Sequence, residues 1–219
     1  MMNFETVKND ETIRAYLQKG NEVLGVVGFT EHGFAHAGIC AKQASDLLLK
    51  LGYEPRVAEL ARIAGYLHDI GNCINRNDHA HTGALMAFQL LSRLGMNAEE
   101  VAEVIAAIGN HDEHTGTAVS PISAALILAD KCDVRRSRVR KVSTVETDIH
   151  DRVNYAVDRA ELLLDVENKK ITLSLSIDTS ISAVMDYFEI FLTRMLMCRK
   201  AAEFLQLKFQ LRINETQLL

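Results

Sequence analysis

Six side chains able to ligate a metal fall in order along the chain: His36, the adjacent pair His68-Asp69, His79, His111 and Asp130. Imidazole together with carboxylate is the donor set of a divalent transition metal. An open catalytic ion uses about three protein ligands, so a series of this size suits two ions sharing a bridging carboxylate. Asp69 has two oxygens and can bridge. Neighbours on a helix point roughly 100° apart, so His68 and Asp69 reach one ion only off a helix end or in the groove beside it. Asp130 follows the apolar run Leu126-Ile127-Leu128-Ala129. A carboxylate there must be metal-bound, or paired with a lysine or arginine, to offset its burial. Taken singly, each residue has a plainer reading: His36 as an ordinary core histidine, or His111 with Asp112, Glu113 and His114 as an exposed polar loop. Their joint order carries the argument. His81 competes with His79, and His114 with His111.

Helices must aim these residues. A first helix is expected over about 10 to 27, ending at Gly28, and a second from Gly33 to Leu51, carrying His36. On that second helix Cys40, Ala44, Leu47, Leu48 and Leu51 form an apolar stripe of helical period. Pro55 suits the first position of a third, which delivers His68-Asp69 at its end. Asp78 is placed to cap a fourth, which stops at Gly95. Asn97 and Glu100 have the spacing of a capping box for a fifth, leading to His111. Ser120-Pro121 opens a sixth, which holds Asp130, and a seventh is expected over about 147 to 160. The pattern then changes to two strands, Leu162–Val166 and the alternating Ile171–Ile177, joined by Glu167–Lys170. A long helix over about Ser180 to Leu205 and a strand Lys208–Ile213 close the chain. The expected fold is mainly α: a helical part over 1–158 and a packed hairpin-helix-strand unit over 159–219.

Bulk properties narrow the class. The formal charge is −5 over 219 residues, which gives no global attraction for nucleic acid. Cys40, Cys73, Cys132 and Cys198 are scattered without a Cys-x-x-Cys pair, as in a reducing cytoplasm. No signal sequence and no apolar run of about 20 residues is evident, so a cytoplasmic protein is expected.

His36, the segment Gly65-Tyr66-Leu67-His68-Asp69-Ile70-Gly71 and Ala129-Asp130-Lys131-Cys132-Asp133 resemble the HD-domain superfamily of metal-dependent phosphohydrolases, over about residues 30 to 140. The resemblance implies an HD-type helical core on which His36, His68, Asp69 and Asp130 bind metal. His79, four residues before Gly83-Ala84, resembles the His-x-x-x-Gly-Ala of the dinuclear branches, and His111 follows the Ile105–Ile108 run where those branches place another ligand. The bacterial diadenosine-tetraphosphate hydrolase group is the most similar branch, with Asp133 and Arg136 in place of its acidic residue and arginine. Asn72 directly after Gly71, and Thr115-Gly116-Thr117-Ala118 without Gly-Tyr-Pro, depart from the cyclic-di-nucleotide phosphodiesterases.

The implied activity is hydrolysis of a phosphoester or phosphoanhydride, in a nucleotide or similar small molecule, by metal-activated hydroxide. One or two ions of iron, manganese, zinc or nickel would serve, with Asp69 as the central catalytic ligand. Phosphoryl transfer also needs cations at the site. Arg76, Lys131, Arg135, Arg136, Arg138, Arg140 and Lys141 are available; Lys131 and Arg136 are the candidates for phosphate contact. Arg138, Arg140 and Lys141 read as a solvated helix face. The ligating histidines must be neutral, so activity should fall in acid. A non-catalytic nucleotide-binding or signalling module is the alternative, and a nucleic-acid scaffold using Arg135 to Lys141 a weaker third. The apolar long helix and small sheet also suit a homodimer.

Overall fold

Two short helices open the computed structural model, which describes residues 2–218. They are α1 (Phe4–Asn9) and α2 (Glu11–Val26). Asp10 ends the first and caps the second, its carboxylate accepting the Ile13 amide at 2.9 Å. Helical periodicity alone starts the chain at about 10, so α1 is an addition. Its Phe4 and Val7 are buried.

The helices that position the site follow: α3 (Phe34–Lys50), α4 (Pro55–Leu67), α5 (His79–Arg93), α6 (Ala98–Gly109) and α7 (Pro121–Lys131). A 3-10 turn, Ile70–Cys73, links α4 towards α5. The start of α7 is set as expected: Ser120 and Ser123 cap each other's backbone reciprocally, with Pro121 in the first turn. Two other caps differ. Asn97 accepts the Glu99 amide at 2.8 Å, but Glu100 turns away to Arg56, 2.6 Å from its Nη2. An ion pair with a guanidinium outcompetes a return bond to one amide. Asp78 precedes α5 in the left-handed region at φ 57° and makes no side-chain cap; it is largely exposed, 3.8 Å from His81.

After α8 (Ile149–Ala156) the chain runs directly into β1 (Val157–Asp165). The expected boundary at 158/159 therefore falls inside a strand. β2 (Lys170–Ile177), α9 (Val184–Phe204), β3 (Lys208–Ile213) and β4 (Thr216–Gln217) complete the unit. The sheet has the order β1-β2-β3-β4. β1 and β2 form an antiparallel hairpin with Leu162 opposite Leu173, and β2 pairs parallel to β3 with Leu173 opposite Leu211. Parallel neighbours need a crossover, and α9 is that crossover. Ile171, Leu173, Leu175 and Ile177 are the buried alternate positions of β2. α9 buries Tyr187, Phe191, Met195 and Cys198 and packs against α7, while Met185, Leu192 and Leu196 stay exposed.

The basic stretch after α7 is not a solvated helix face. It forms two 3-10 turns, Arg136–Arg138 and Val142–Thr144. Arg138 is buried and donates to the carbonyls of Asp133 at 2.8 Å and Glu31 at 2.9 Å. Arg140 donates to the carbonyls of Phe29 and Asn21. These arginines tie down the segment that leads into α3. No helix of the described residues is long and apolar enough to cross a membrane.

Candidate metal centre

Close backbone approach builds the centre. A Cβ on Gly65 would sit 2.8 Å from the Ala41 amide nitrogen, so only glycine lets α4 press this closely on α3. That contact sets His68, at the end of α4, against His36 on α3. One turn later, a Cβ on Gly71 would collide with the His79 carbonyl and the Gly83 amide. The Ile70–Cys73 turn therefore lies directly on the first turns of α5, which brings Asp69 beside His79.

His36, His68, Asp69, His79 and His111 are all buried, and Asp130 nearly so. His36 Nε2 lies 3.3 Å from His68 Nε2, 3.3 Å from Asp130 Oδ1 and 3.6 Å from Asp69 Oδ2. His68 Nε2 is 3.3 Å from Asp69 Oδ2 and 3.6 Å from Asp130 Oδ1. Ligand atoms ~2.1 Å from one centre in a tetrahedral set lie roughly 3.4 Å apart, so this spacing is that of one coordination sphere. A second set adjoins it: His79 Nε2 is 3.2 Å from His111 Nε2 and 3.6 Å from Asp69 Oδ1. Asp69 thus turns Oδ2 to one set and Oδ1 to the other.

The outward ring nitrogens explain why the inward ones are free. His68 Nδ1 donates to the Gly65 carbonyl at 2.9 Å, His79 Nδ1 to Arg76 at 3.0 Å and His111 Nδ1 to Ile108 at 2.6 Å. His36 Nδ1 donates to Asp133 Oδ2 at 2.7 Å. A proton held on Nδ1 leaves the Nε2 lone pair as the ligating atom. Four lone pairs and a carboxylate oxygen without any hydrogen-bond partner, Asp69 Oδ2, then face one another in a buried space. Acceptors facing acceptors are unfavourable unless a cation, a metal ion or in its place a proton, lies between them. The residues present therefore fit a divalent metal.

Electrostatics agree. Burial pushes the His68 imidazole down, but the Asp69 and Asp130 carboxylates outweigh it and lift it to about 10. Burial would raise Asp69, yet His68, His32 and His79 hold it well below the usual range. Asp130 is depressed in the same way by Lys131 and His68. The centre favours positive charge between two carboxylates, as a cation would supply. Burial lowers His79 and His111, keeping these two imidazoles neutral as ligation requires. Cys40 Sγ also approaches His36, at 3.6 Å. Burial, then Asp130 and Asp133, push its thiol well above the ordinary range, and its sulfur lies close enough to His36, His68 and Asp130 to join them around one ion.

The outer set opens towards a cleft of about 970 Å³, lined among others by His79, Arg76, Phe29, Glu113, His150 and Arg194. Arg76 Nη1 lies 3.3 Å from His79 Nε2 and 3.7 Å from Asp69 Oδ1. Lys131 is buried between Asp130 at 2.8 Å and Glu113 at 2.7 Å. Arg136 is elsewhere: it donates to the Tyr155 carbonyl at 2.6 Å and pairs with Asp158 at 2.7 Å. The chain turns through Arg136–Arg138 before the guanidinium can point back, and the guanidiniums that line the cleft are those of Arg76 and Arg194. His81 and His114 are exposed and join neither set. Residues two apart on a helix point roughly 200° apart, so His79 and His81 cannot serve one site. Sequence reasoning missed Glu113 as partner of Lys131, and Arg194, which α9 brings in from the C-terminal unit.

Residues 32–137 match the HD domain family, a span that holds all six candidate ligands. An uncharacterized protein of Methanocaldococcus jannaschii is 29% identical over 186 residues, covering 74% of this chain and 71% of that one. A crystal structure described as a predicted HD superfamily hydrolase, from an uncultured Thermotogales bacterium, is 28% identical and covers 61% of this chain and 75% of its own, with a TM-score of 0.44. The span that matches the HD domain family is the helical part of the chain that carries the His/Asp centre.

Proposed function

We propose that this protein hydrolyses a phosphoester or phosphoanhydride of a small phosphorylated molecule, a nucleotide or a compound like it, at a two-ion centre. The observation that carries the reading is the split of Asp69, whose two oxygens face two separate histidine sets. His36, His68 and Asp130 with Asp69 Oδ2 would hold one ion, and His79 and His111 with Asp69 Oδ1 the other. When bound, such ions supply an activated water and neutralise charge on the phosphoryl group. The chain does the rest. Asp133 fixes the His36 tautomer, and backbone carbonyls fix those of His68, His79 and His111. Lys131 holds Asp130 in place, and Arg76 offers a guanidinium at the mouth of the outer set. Iron, manganese, zinc and nickel all suit these donors.

Elemental analysis of freshly purified protein, followed by a phosphoester panel run with the metal found, tests the reading. Metal bound together with turnover that Asp69→Ala abolishes is the expected result. Metal and phosphate binding without product would leave a binding module; full activity in Asp69→Ala would overturn the assignment.

A further inference from the structure

The C-terminal unit places one cation in the cleft that the metal centre does not use. Arg194 lines both the 970 Å³ cleft and an adjoining cavity of about 260 Å³. Phe29, Arg76 and His150 also border both. We infer that Arg194 anchors a second phosphate of the substrate, beyond the one that is cleaved. This rests on the phosphohydrolase reading and makes the substrate an oligophosphate rather than a simple monoester.

Three observations support it. The side chain is held but not consumed. Its Nε donates to Glu113 Oε1 at 3.0 Å and its guanidinium stacks on Phe191 at 4.8 Å. Among the described residues the guanidinium makes no other hydrogen bond, which leaves its terminal fork of N–H donors for a ligand. Second, Glu113 is shared: buried Lys131 lies 2.7 Å from it as well as 2.8 Å from Asp130. With a metal ion on Asp130, one cation of this group is left over for an anion. Third, Arg194 is removed from the reacting atoms. It reaches a metal ligand only through Glu113, then Lys131, then Asp130. Arg76 stands at the ligands themselves. With this chain of side chains between them, a phosphate on the ions and another on Arg194 would be separate groups of one molecule.

The test compares inorganic tripolyphosphate with inorganic phosphate, by calorimetric binding to the metal-loaded protein. Arg194→Gln should weaken tripolyphosphate about tenfold or more and phosphate by less than about twofold, and Arg194→Lys should recover part of the loss. Equal weakening of both probes, or of neither, overturns the inference. Should Arg194→Gln fail to fold, Arg194→Lys decides alone: it keeps the charge beside Glu113 and loses the fork, so a selective loss of tripolyphosphate supports the anchor and no loss sinks it. Wild-type protein that binds tripolyphosphate selectively but hydrolyses nothing would refute the phosphohydrolase reading and leave the Arg194 result standing.

Discussion

The two halves of the metal centre are held by different means. The inner half, His36, His68 and Asp130, is enclosed by α3, α4 and α7 and braced by charged neighbours: Asp133 on His36, and Lys131 on Asp130. The outer half, His79 and His111, is braced by backbone carbonyls, with Asp112 no nearer than 3.9 Å to His79 Nδ1; it opens to the cleft and shares its space with the Arg76 guanidinium. Arg76 stands 3.3 Å from His79 Nε2, at the approach to the outer half. On the proposed two-ion reading the inner site is suited to retention and the outer to exchange, with Asp69 belonging to both.

The largest expected effect comes from removing what the halves share. Asp69→Ala should lose both ions by elemental analysis and lower hydrolysis on the order of a thousandfold, several kcal/mol of transition-state stabilisation. Retention of two equivalents would break the bridging assignment. His79→Ala should separate the halves, keeping one equivalent of metal and losing the other, with turnover down about a hundredfold. Loss of both equivalents would mean that the sites are not independent. Asp133→Asn, which leaves every ligand in place, should weaken the inner ion about 10- to 100-fold in a chelator competition and spare the outer one.

A pH effect sharpens the contrast further. With His68 lifted to about 10, the metal-free inner half carries a proton at neutral pH, whereas the lowered His79 and His111 carry none. Binding to the inner half must expel that proton, so its affinity rises with pH up to about 10 and falls in acid. Release of close to one proton per inner ion at neutral pH should appear in the buffer dependence of the binding enthalpy; His79→Ala should leave it unchanged. The smallest effect is expected at Arg136→Gln, which breaks a half-exposed pair with Asp158 and should move turnover by less than about twofold.

Much of the inner half was legible because helix ends mark it. Pro55 and the apolar face of α4 place His68-Asp69 at a terminus, and the Ser120 cap sets the phase of α7 that turns Asp130 inward. The spacing before Gly83-Ala84 favours His79 over His81, and α5, starting at His79, leaves His81 exposed. What escaped were contacts between distant segments with no local signature. Arg138 and Arg140 bind carbonyls more than 100 positions away, and a carbonyl target leaves no trace in side-chain pattern. Arg194 reaches Glu113 only because the parallel pairing of β2 with β3 makes α9 a crossover lying on α7. The short strands were read individually; that order was not. α1 lay outside the periodic stretch, and at 6 residues its helicity depends on docking Phe4 and Val7.

The meeting of Gly71 with the first turn of α5 has a consequence for which ions the centre accepts. The separation of the two sets is fixed by two backbones in contact, with no side chain between them to give way. Asn72 further pins Asp69 Oδ1 at 2.8 Å, while Oδ2 has no protein partner. An ion of larger or smaller radius must then be accommodated by swinging that one oxygen. The inner half becomes the adjustable gauge and the outer half the fixed one, so substitution of one transition metal for another should alter inner bond lengths and leave the outer set nearly unchanged.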